Sequence, residues 1–536
     1  MKRISVKKGS YYDSVFLMLA TRGLKGLPGV SDAIVAMATP MNLDMLGDMG
    51  FAAADLEGLG PNDLVAAVDA RDEATAAAAI AEAFDSLTRK KTEAAGSGAS
   101  KVGSFRAALA LEPAANVAVV SVPGAFAARE ARKALEAGLH AMVFSDNVSL
   151  EDEIALKRLA TSKGLLLMGP DCGTAILNGK PLCFANVVRR GPIGVVAASG
   201  TGLQETTCLI DRYGSGVSQA IGTGGRDMKN AAVGGMTSLL AIEALAADPA
   251  TKVILVVSKP PAAEVAAKVV AALRASGKPS VAHFLGAEPG ADEARLAYAS
   301  DLEEAALLAT LFAEGAADAT SAKGRLREDS GNDRYNRPSK IAIETLAAAE
   351  ARRLAPEQRY LRGLYTGGTL ADEALFIAHA MLGGVRSNNQ TDPAWTMADP
   401  LRSEGHVVID LGDDFFTAGK PHPMIDPAAR AERLAAEGRD PGTAVVLVDV
   451  VLGYGSHADP AGACVGAIRA ARAAAAARGG YLPVIASVTG TPGDPQGYGA
   501  QVAALEAEGV VVMPSNYRAA LVAVEIARLA SKGAAL

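Results

Sequence analysis

Two glycine turns carry most of the chemistry this sequence can offer. An apolar, β-branched run at residues 193–198 breaks at Ser199-Gly200-Thr201-Gly202, and a helical pattern opens with Leu203-Gln204-Glu205-Thr206. Far downstream, Leu364-Tyr365 leads into Thr366-Gly367-Gly368-Thr369, again ahead of a helix with acidic residues in its first turns. A strand, a tight turn and a helix N-terminus together present free N–H groups and the positive end of a helix dipole. Each turn is therefore a cradle for an anion. A single turn of this kind often closes a strand-to-helix connection and binds nothing. Two of the same chemistry point to one shared, phosphate-sized site, with Ser199, Gly200, Thr201, Thr366, Gly367, Gly368 and Thr369 as its phosphate-binding residues.

Such turns need parallel sheets behind them, and the chain supplies these repeatedly. From residue 116 strands alternate with helices of ten or more residues, which means a parallel sheet covered on both faces, with ligands beyond the C-terminal strand ends. Strands are expected at 117–122, 141–145 and 165–168, then at 193–198, 217–221, 253–258 and 280–285. A last set follows at 407–411, 444–448, 484–488 and 510–513. Residues 1–90 alternate short strands and helices in the manner of a small ferredoxin-like α/β domain. Residues 89–101 and 313–340 lose periodicity and gain Gly and polar residues, so both read as linkers.

Composition narrows the function classes. A chain of 536 residues exceeds one core and fits three to four domains of roughly 100–200 residues. With 50% hydrophobic and 21% charged residues it has an ordinary globular composition. A net charge of −7 and no basic stripe argue against nucleic acid. The Ala-rich runs are interrupted by Arg, Asp or Glu, which argues against a membrane span, and the N-terminus lacks the apolar region of a signal peptide. A cytoplasmic protein is expected. Cys172, Cys183, Cys208 and Cys464 have no CxxC spacing and read as buried free thiols, with no metal site.

Other side chains fall at strand ends or in rigid loops. Arg226, after Gly222-Thr-Gly-Gly225, either grips a carboxylate or phosphate or forms a salt bridge with a helix. His422 lies between two prolines, and His457 follows the strand at 444–451; each is a candidate acid/base or interface group, weighed against a solvated loop residue. Together with Arg226 they are the expected catalytic residues. Gly224, Gly225 and Asp171, at neighbouring strand ends, are the expected substrate-binding residues. Asp413, Asp414 and Asp459 have no spacing that demands Mg²⁺. His283 sits inside an apolar strand and reads as a core residue.

The run Leu165-Leu-Leu-Met-Gly-Pro-Asp-Cys-Gly173, with Ile193-Gly-Val-Val-Ala-Ala-Ser-Gly-Thr201 and Ala220-Ile-Gly-Thr-Gly-Gly225, resembles the α-subunit of succinyl-CoA synthetase and related NDP-forming acyl-CoA synthetases. With the extra N-terminal domain, Thr366-Gly-Gly-Thr-Leu-Ala-Asp-Glu373 and Pro421-His-Pro-Met-Ile-Asp-Pro427, the chain is most similar to the FdrA family. The resemblance implies four α/β parts: a ferredoxin-like domain (1–90), a Rossmann-like CoA-binding-type domain (102–190), and two flavodoxin-like ligase domains (191–315 and 358–536) separated by a linker (316–357). In that family two helix N-termini point at a phosphoryl group, and the matching turns here are the two cradles. The family's phosphate-carrying histidine in a Gly-His-Ala-Gly segment has no match near His283. Its acidic partner is replaced by Ser258-Lys259-Pro260, and residues 313–358 are too short for an ATP-grasp domain.

The FdrA resemblance implies a component of oxamate carbamoyltransferase in allantoin breakdown, where oxalurate and phosphate give oxamate and carbamoyl phosphate. Phosphate is then a substrate and no cofactor is required. CoA or a nucleotide is implied by fold resemblance only. Companion subunits are expected, and a homodimer is left open. The alternatives are an acyl-CoA synthetase component needing an ATP-grasp partner and a non-catalytic scaffold.

Overall fold

The computed structural model describes every residue except 11, 13, 61, 97–101, 329–334, 418–419 and 534–536. The chain divides into two compact units, Met1–Pro113 with Asp414–His422, and Ala114–Asp413 with Pro423–Leu536. Among the described residues no helix is long and apolar enough to cross a membrane.

In the first unit β1 (Lys2–Lys7), β2 (Val30–Met37) and β3 (Leu64–Ala70) form an antiparallel sheet in the order β1-β3-β2. The period of two in β3 sends Leu64, Ala66 and Val68 to one face and Val65 and Ala67 to the other. The first face packs on the helices Ser14–Lys25 and Glu73–Gly96, through Leu17, Leu24, Ala76 and Ile80. The second is covered around Leu46 and Phe51. Helix Glu73–Gly96 runs through much of the stretch expected as a linker at 89–101, whose last residues, 97–101, lie outside the described residues.

The second unit holds three sheets. β4 (Val117–Val120), β5 (His140–Val143) and β6 (Leu167–Met168) form a short parallel sheet in chain order. Next come the hairpin β7 (Thr174–Leu177) and β8 (Lys180–Cys183), then β9 (Arg190–Ala198), β10 (Val217–Gly222), β11 (Val253–Ser258), β12 (Ser280–Phe284) and β13 (Leu296–Tyr298). Their order is β13-β12-β11-β9-β10-β7-β8. The hairpin, inside the 102–190 stretch read as Rossmann-like, instead pairs into this ligase sheet through Ala220 and Ile176. Its turn is Asn178-Gly179, both at positive φ, which suits a two-residue hairpin.

The last sheet is β14 (Tyr360–Tyr365), β15 (Val407–Asp410), β16 (Thr443–Val451), β17 (Val484–Thr489) and β18 (Val511–Met513), in the order β15-β14-β16-β17-β18. Counted from β9 and from β14, both ligase sheets follow the flavodoxin order 2-1-3-4-5. Their topological switch points lie between β9 and β11 and between β14 and β16, where this fold places ligands.

Residues 316–357, expected to be a linker, contain the packed helices Ala319–Glu328 and Lys340–Ala351. Ala322 with Leu326, and Ile343 with Ala347, bury i,i+4 pairs in the core shared by both ligase domains.

That shared core holds a reciprocal pair of buried carboxyls. Glu205, on helix Gly200–Arg212, accepts from the Asn516 N–H at 3.0 Å, at the start of helix Asn516–Gly533 in the other ligase domain. Glu373, on helix Gly368–Leu382, accepts from the Leu302 N–H at 2.9 Å, at the start of helix Leu302–Ala313 in the first. Each carboxyl thus caps a helix of the opposite domain. Thr489 Oγ1 donates to Glu205 at 2.5 Å and Asn516 Nδ2 donates to Glu373 at 2.8 Å.

Burial raises both glutamates, Glu373 to about 8, with nearby Asp301 pushed up to about 7 by burial and Glu303. An unfolded Glu titrates near ~4.3, so the folded chain holds more protons above that pH. The stability from the protonated form is complete below the unfolded value and is lost as pH rises through 8. The melting temperature is therefore expected to fall between about pH 5 and pH 9, and Glu373→Gln is expected to flatten the upper part of that fall. A thermal-melt series in which wild type and variant share one pH profile contradicts this account.

Candidate functional site

The two glycine turns meet. Ser199 caps helix Gly200–Arg212 from extended backbone, its Oγ accepting from the Gly202 N–H at 3.0 Å. The same hydroxyl donates to Thr369 Oγ1 at 2.7 Å, on the first turn of helix Gly368–Leu382. A Cβ on Gly367 would fall 2.6 Å from Thr201 Cγ2, and one on Gly202 would strike Ser199 Oγ. Glycine at both positions is what allows the approach. The first-turn N–H groups of Gly200, Thr201, Gly368 and Thr369 have no partner in their own helices, and both helix dipoles end here. The arrangement can hold a tetrahedral anion between two positive helix ends.

Part of the second turn is already occupied. The Thr366 N–H and Oγ1 and the Gly367 N–H donate to the two oxygens of Asp449 on β16, at 2.8, 3.0 and 2.9 Å. Asp449 is fully buried and paired with Arg430 at 3.2 Å. It serves as an internal anion that shapes the loop, so Thr366 spends its donors on the fold. Of the seven residues expected at the cradle, Ser199, Thr201, Gly367 and Thr369 meet across the contact, Gly200 and Gly368 open the two helices beside it, and Thr366 stands behind it.

Three charged residues that the sequence reading did not assign to the site stand at its mouth. Lys259, directly after β11, pairs with Asp372 at 2.8 Å, so a cation of the first ligase domain meets the first turns of the second domain's helix. A Cβ on Gly368 would lie 3.3 Å from Lys259 Nζ and 2.5 Å from Asp410 Oδ2. Burial opposes the Lys259 charge, but Asp372, Asp410 and Asp171 hold its pKa above the usual lysine value. Burial pushes Asp410 up to about 6 against the pull of Lys259. The signal that could have found them is position: Lys259 and Asp410 mark the C-terminal ends of β11 and β15, the edge where such sheets bind ligands.

The other candidates scatter. Asp171 and Gly225 come together, a Cβ on Gly225 lying 3.7 Å from Asp171 Oδ2, and Gly224, at φ +85°, packs on the Pro170 carbonyl. Asp171 also faces Lys259 and so adjoins the cradle. Arg226 turns away: its Nε pairs with Glu153 at 2.7 Å and its Nη2 donates to the Val148 carbonyl at 2.7 Å. Glu153 also pairs with Lys157, which reaches Asp227, so Arg226 closes a largely buried ion network, the salt-bridge alternative.

His457 belongs to the loop after β16, where its N–H donates to the Met424 carbonyl at 2.7 Å and its Nδ1 accepts from the Asp459 N–H at 3.0 Å. His422 groups with the N-terminal unit, and burial lowers it to about 4. Of the expected trio of His422, His457 and Arg226, Arg226 spends its guanidinium on Glu153 and the Val148 carbonyl. His283 is 1% exposed and its Nδ1 bonds the Ala299 carbonyl at 3.0 Å, a core histidine. All four cysteines are free, and burial pushes Cys172 up to about 12. Among the described residues no group of three His, Cys, Asp or Glu could hold a metal ion.

Similarity to known proteins extends over 98% of the chain. Residues 1–102 match the AllF heavy metal-associated domain, and residues 364–526 match the CoA-ligase family. Residues 1–102 contain neither cysteine nor histidine, donors that transition metals favour, so they do not fit a heavy-metal site. The α-subunit of the ADP-forming succinate–CoA ligase of Aquifex aeolicus is 32% identical over 28% of this chain and 49% of its own length. The SauD subunit of the ADP-forming sulfoacetate-CoA ligase of Bilophila wadsworthia is 32% identical over 21% of this chain and 40% of its own. The uncharacterized protein YahF of Escherichia coli K12 is 44% identical over 98% of both chains. The chain belongs to the FdrA family, proteins built like the α-subunit of succinyl-CoA synthetase.

Proposed function

We propose that this chain is the subunit of an oxamate carbamoyltransferase that binds phosphate for attack on the carbamoyl carbon of oxalurate, giving oxamate and carbamoyl phosphate in allantoin breakdown. The observation that carries the reading is the junction of two helix N-termini at Ser199 and Thr369. Phosphate sits between the dipoles. First-turn N–H groups and the Thr201 and Thr369 hydroxyls orient it, and donors in the same place stabilise the oxyanion that forms on the carbamoyl oxygen. Lys259, where a synthetase would carry an acid, supports a site for a free anion rather than for a phosphohistidine. The AllF-type N-terminal domain supports the allantoin setting. Companion subunits supply the remainder of the complex.

A second reading rests on the match of residues 364–526 to the CoA-ligase family and on the ligase α-subunit relatives. In it the chain is one component of an acid–thiol ligase and works with an ATP-grasp partner. One assay separates the two. The chain is combined with the companion subunits encoded beside it and given oxalurate and phosphate, or a carboxylic acid with ATP and CoA. Carbamoyl phosphate is the expected product, with Thr201→Ala and Thr369→Ala each lowering the rate about 10- to 100-fold, the size of one hydrogen bond to a charged group. Thioester formation in place of carbamoyl phosphate sinks the first reading and establishes the second.

Gly367→Ala tests the junction itself. The added methyl must push Thr201 aside, which costs about 1–3 kcal/mol as overpacking. Calorimetry with inorganic phosphate is expected to show at least about tenfold weaker binding by a chain that still melts cooperatively. Wild-type affinity in this variant would mean that phosphate binds elsewhere.

A further inference from the structure

One group at the mouth of the cradle has no part in the reaction as described so far. Asp410 ends β15, is 7% exposed, and stands with Oδ2 at the first residue of helix Gly368–Leu382. Every element packed against it brings a group to face it. Lys259 comes from the end of β11 and Asp372 from the helix. Asn389 Nδ2 donates to Oδ2 at 3.2 Å from the loop after that helix, and the Gly412 N–H donates to Oδ1 at 2.9 Å from the following turn. Asp171 adds its charge through Lys259. Lys259 and Asp372 are already paired, so the proton on Asp410 decides whether one more negative charge stands beside an incoming anion.

We infer that Asp410 is the proton carrier of this site: as an acid it admits the anion and protonates the leaving nitrogen, and as a carboxylate it takes up the proton that phosphate gives away. This rests on the carbamoyl-transfer reading. An oxygen of the hydrogen phosphate dianion attacks the carbamoyl carbon and forms the new C–O bond. The C–N bond then breaks, its electron pair going to nitrogen, an amide that leaves poorly as an anion. Asp410 gives its proton to that nitrogen and recovers one from the phosphate oxygen. The proton lost by phosphate is the proton gained by the amide product, so atoms and charge balance with no further reactant. Burial and Lys259 set the carboxyl at about 6, so both forms are available near neutrality, as a general acid requires.

A structural role for Asp410 is the competing account, since Asn388 and Asn389 also tie this loop to β15. Asp410→Asn separates them, because it keeps the shape and an acceptor for the Gly412 N–H while removing the exchangeable proton. The probe is sulfate, which stays a dianion from pH 5 to pH 9, titrated into the full chain with its companion subunits. Wild type is expected to bind sulfate more weakly as pH rises above about 6, by up to about tenfold per unit. The variant is expected to bind it tightly and without pH dependence, while kcat for carbamoyl phosphate falls about 10²- to 10⁴-fold. Tighter binding with lost turnover is a signature that loosened packing does not produce.

Sulfate binding that is independent of pH in wild type overturns the inference, and so does a variant that binds sulfate more weakly at every pH. Wild type that keeps pH-dependent sulfate binding yet forms no carbamoyl phosphate overturns the carbamoyl-transfer reading and the transfer step. The proton-linked anion site survives that outcome.

Discussion

Glu205 and Glu373 hold the cradle in place. A hydrogen bond between two hydroxyls, Ser199 to Thr369, is worth only about 1 kcal/mol and cannot bring two domains together. It forms because the helices beneath it are fixed one turn further in, where each glutamate caps a helix of the opposite domain. A buried carboxyl without its donors would cost far more than one bond returns, so the caps make mutual displacement of the two sheets expensive. Burial, working against these cap hydrogen bonds, raises both glutamates, which weakens like-charge repulsion in an interface that carries Asp301 as well. The same two helices end at the cradle and start the lock, so a shift at one is transmitted rigidly to the other.

The cradle is an electrostatic compromise. Two helix N-termini facing each other repel, since both ends are positive. Asp449 relieves part of this by filling the lower half of the second turn with an internal carboxylate. The turn's open half, at Gly368 and Thr369, keeps its N–H groups for a ligand. Lys259 then adds a positive charge that Asp372 largely neutralises. The net result is a polar junction that offers an anion oriented donors more than excess charge, in a chain with an overall charge of −7.

Much of this was legible in the sequence, and the failures share one cause. The strand at 193–198 and the turn after it are local facts, written in β-branched residues followed by Ser-Gly-Thr-Gly, and the same holds for Thr366 to Thr369. The roles of Lys259, Asp410 and Asp449 depend on pairings far apart in the chain, 113 positions for Lys259 with Asp372 and 83 for Thr366 with Asp449, which periodicity does not encode. Arg226 stands just after a strand end as expected, yet its guanidinium answers to Glu153, 73 positions earlier in the chain. The linker at 316–357 misled because charged and polar residues interrupt its pattern, while scattered apolar ones, among them Ala319, Ala322, Leu326, Tyr335, Ile343 and Ala347, carry the packing. The hairpin of β7 and β8 was written in Asn178-Gly179, a strong short-range signal that the helical rhythm around it obscured.

The position of Lys259 bears on how this family diverges in chemistry. An acid after β11 suits a site that must orient a neutral imidazole and steady the positive charge it gains as it is phosphorylated. A lysine there suits a site in which the anion itself is the guest, because the charge of the held group has changed sign. His283 fits the same logic: it is buried at 1% exposure and bonded to Ala299, with burial lowering its pKa, so nothing near the cradle needs a carboxylate to orient it. In the proposed reading no covalent phosphoryl carrier travels between sites, so the two helix N-termini need not open to admit one. A junction tied by Ser199 to Thr369 and by two buried glutamates beneath is then an advantage, since its donors are oriented before the anion binds.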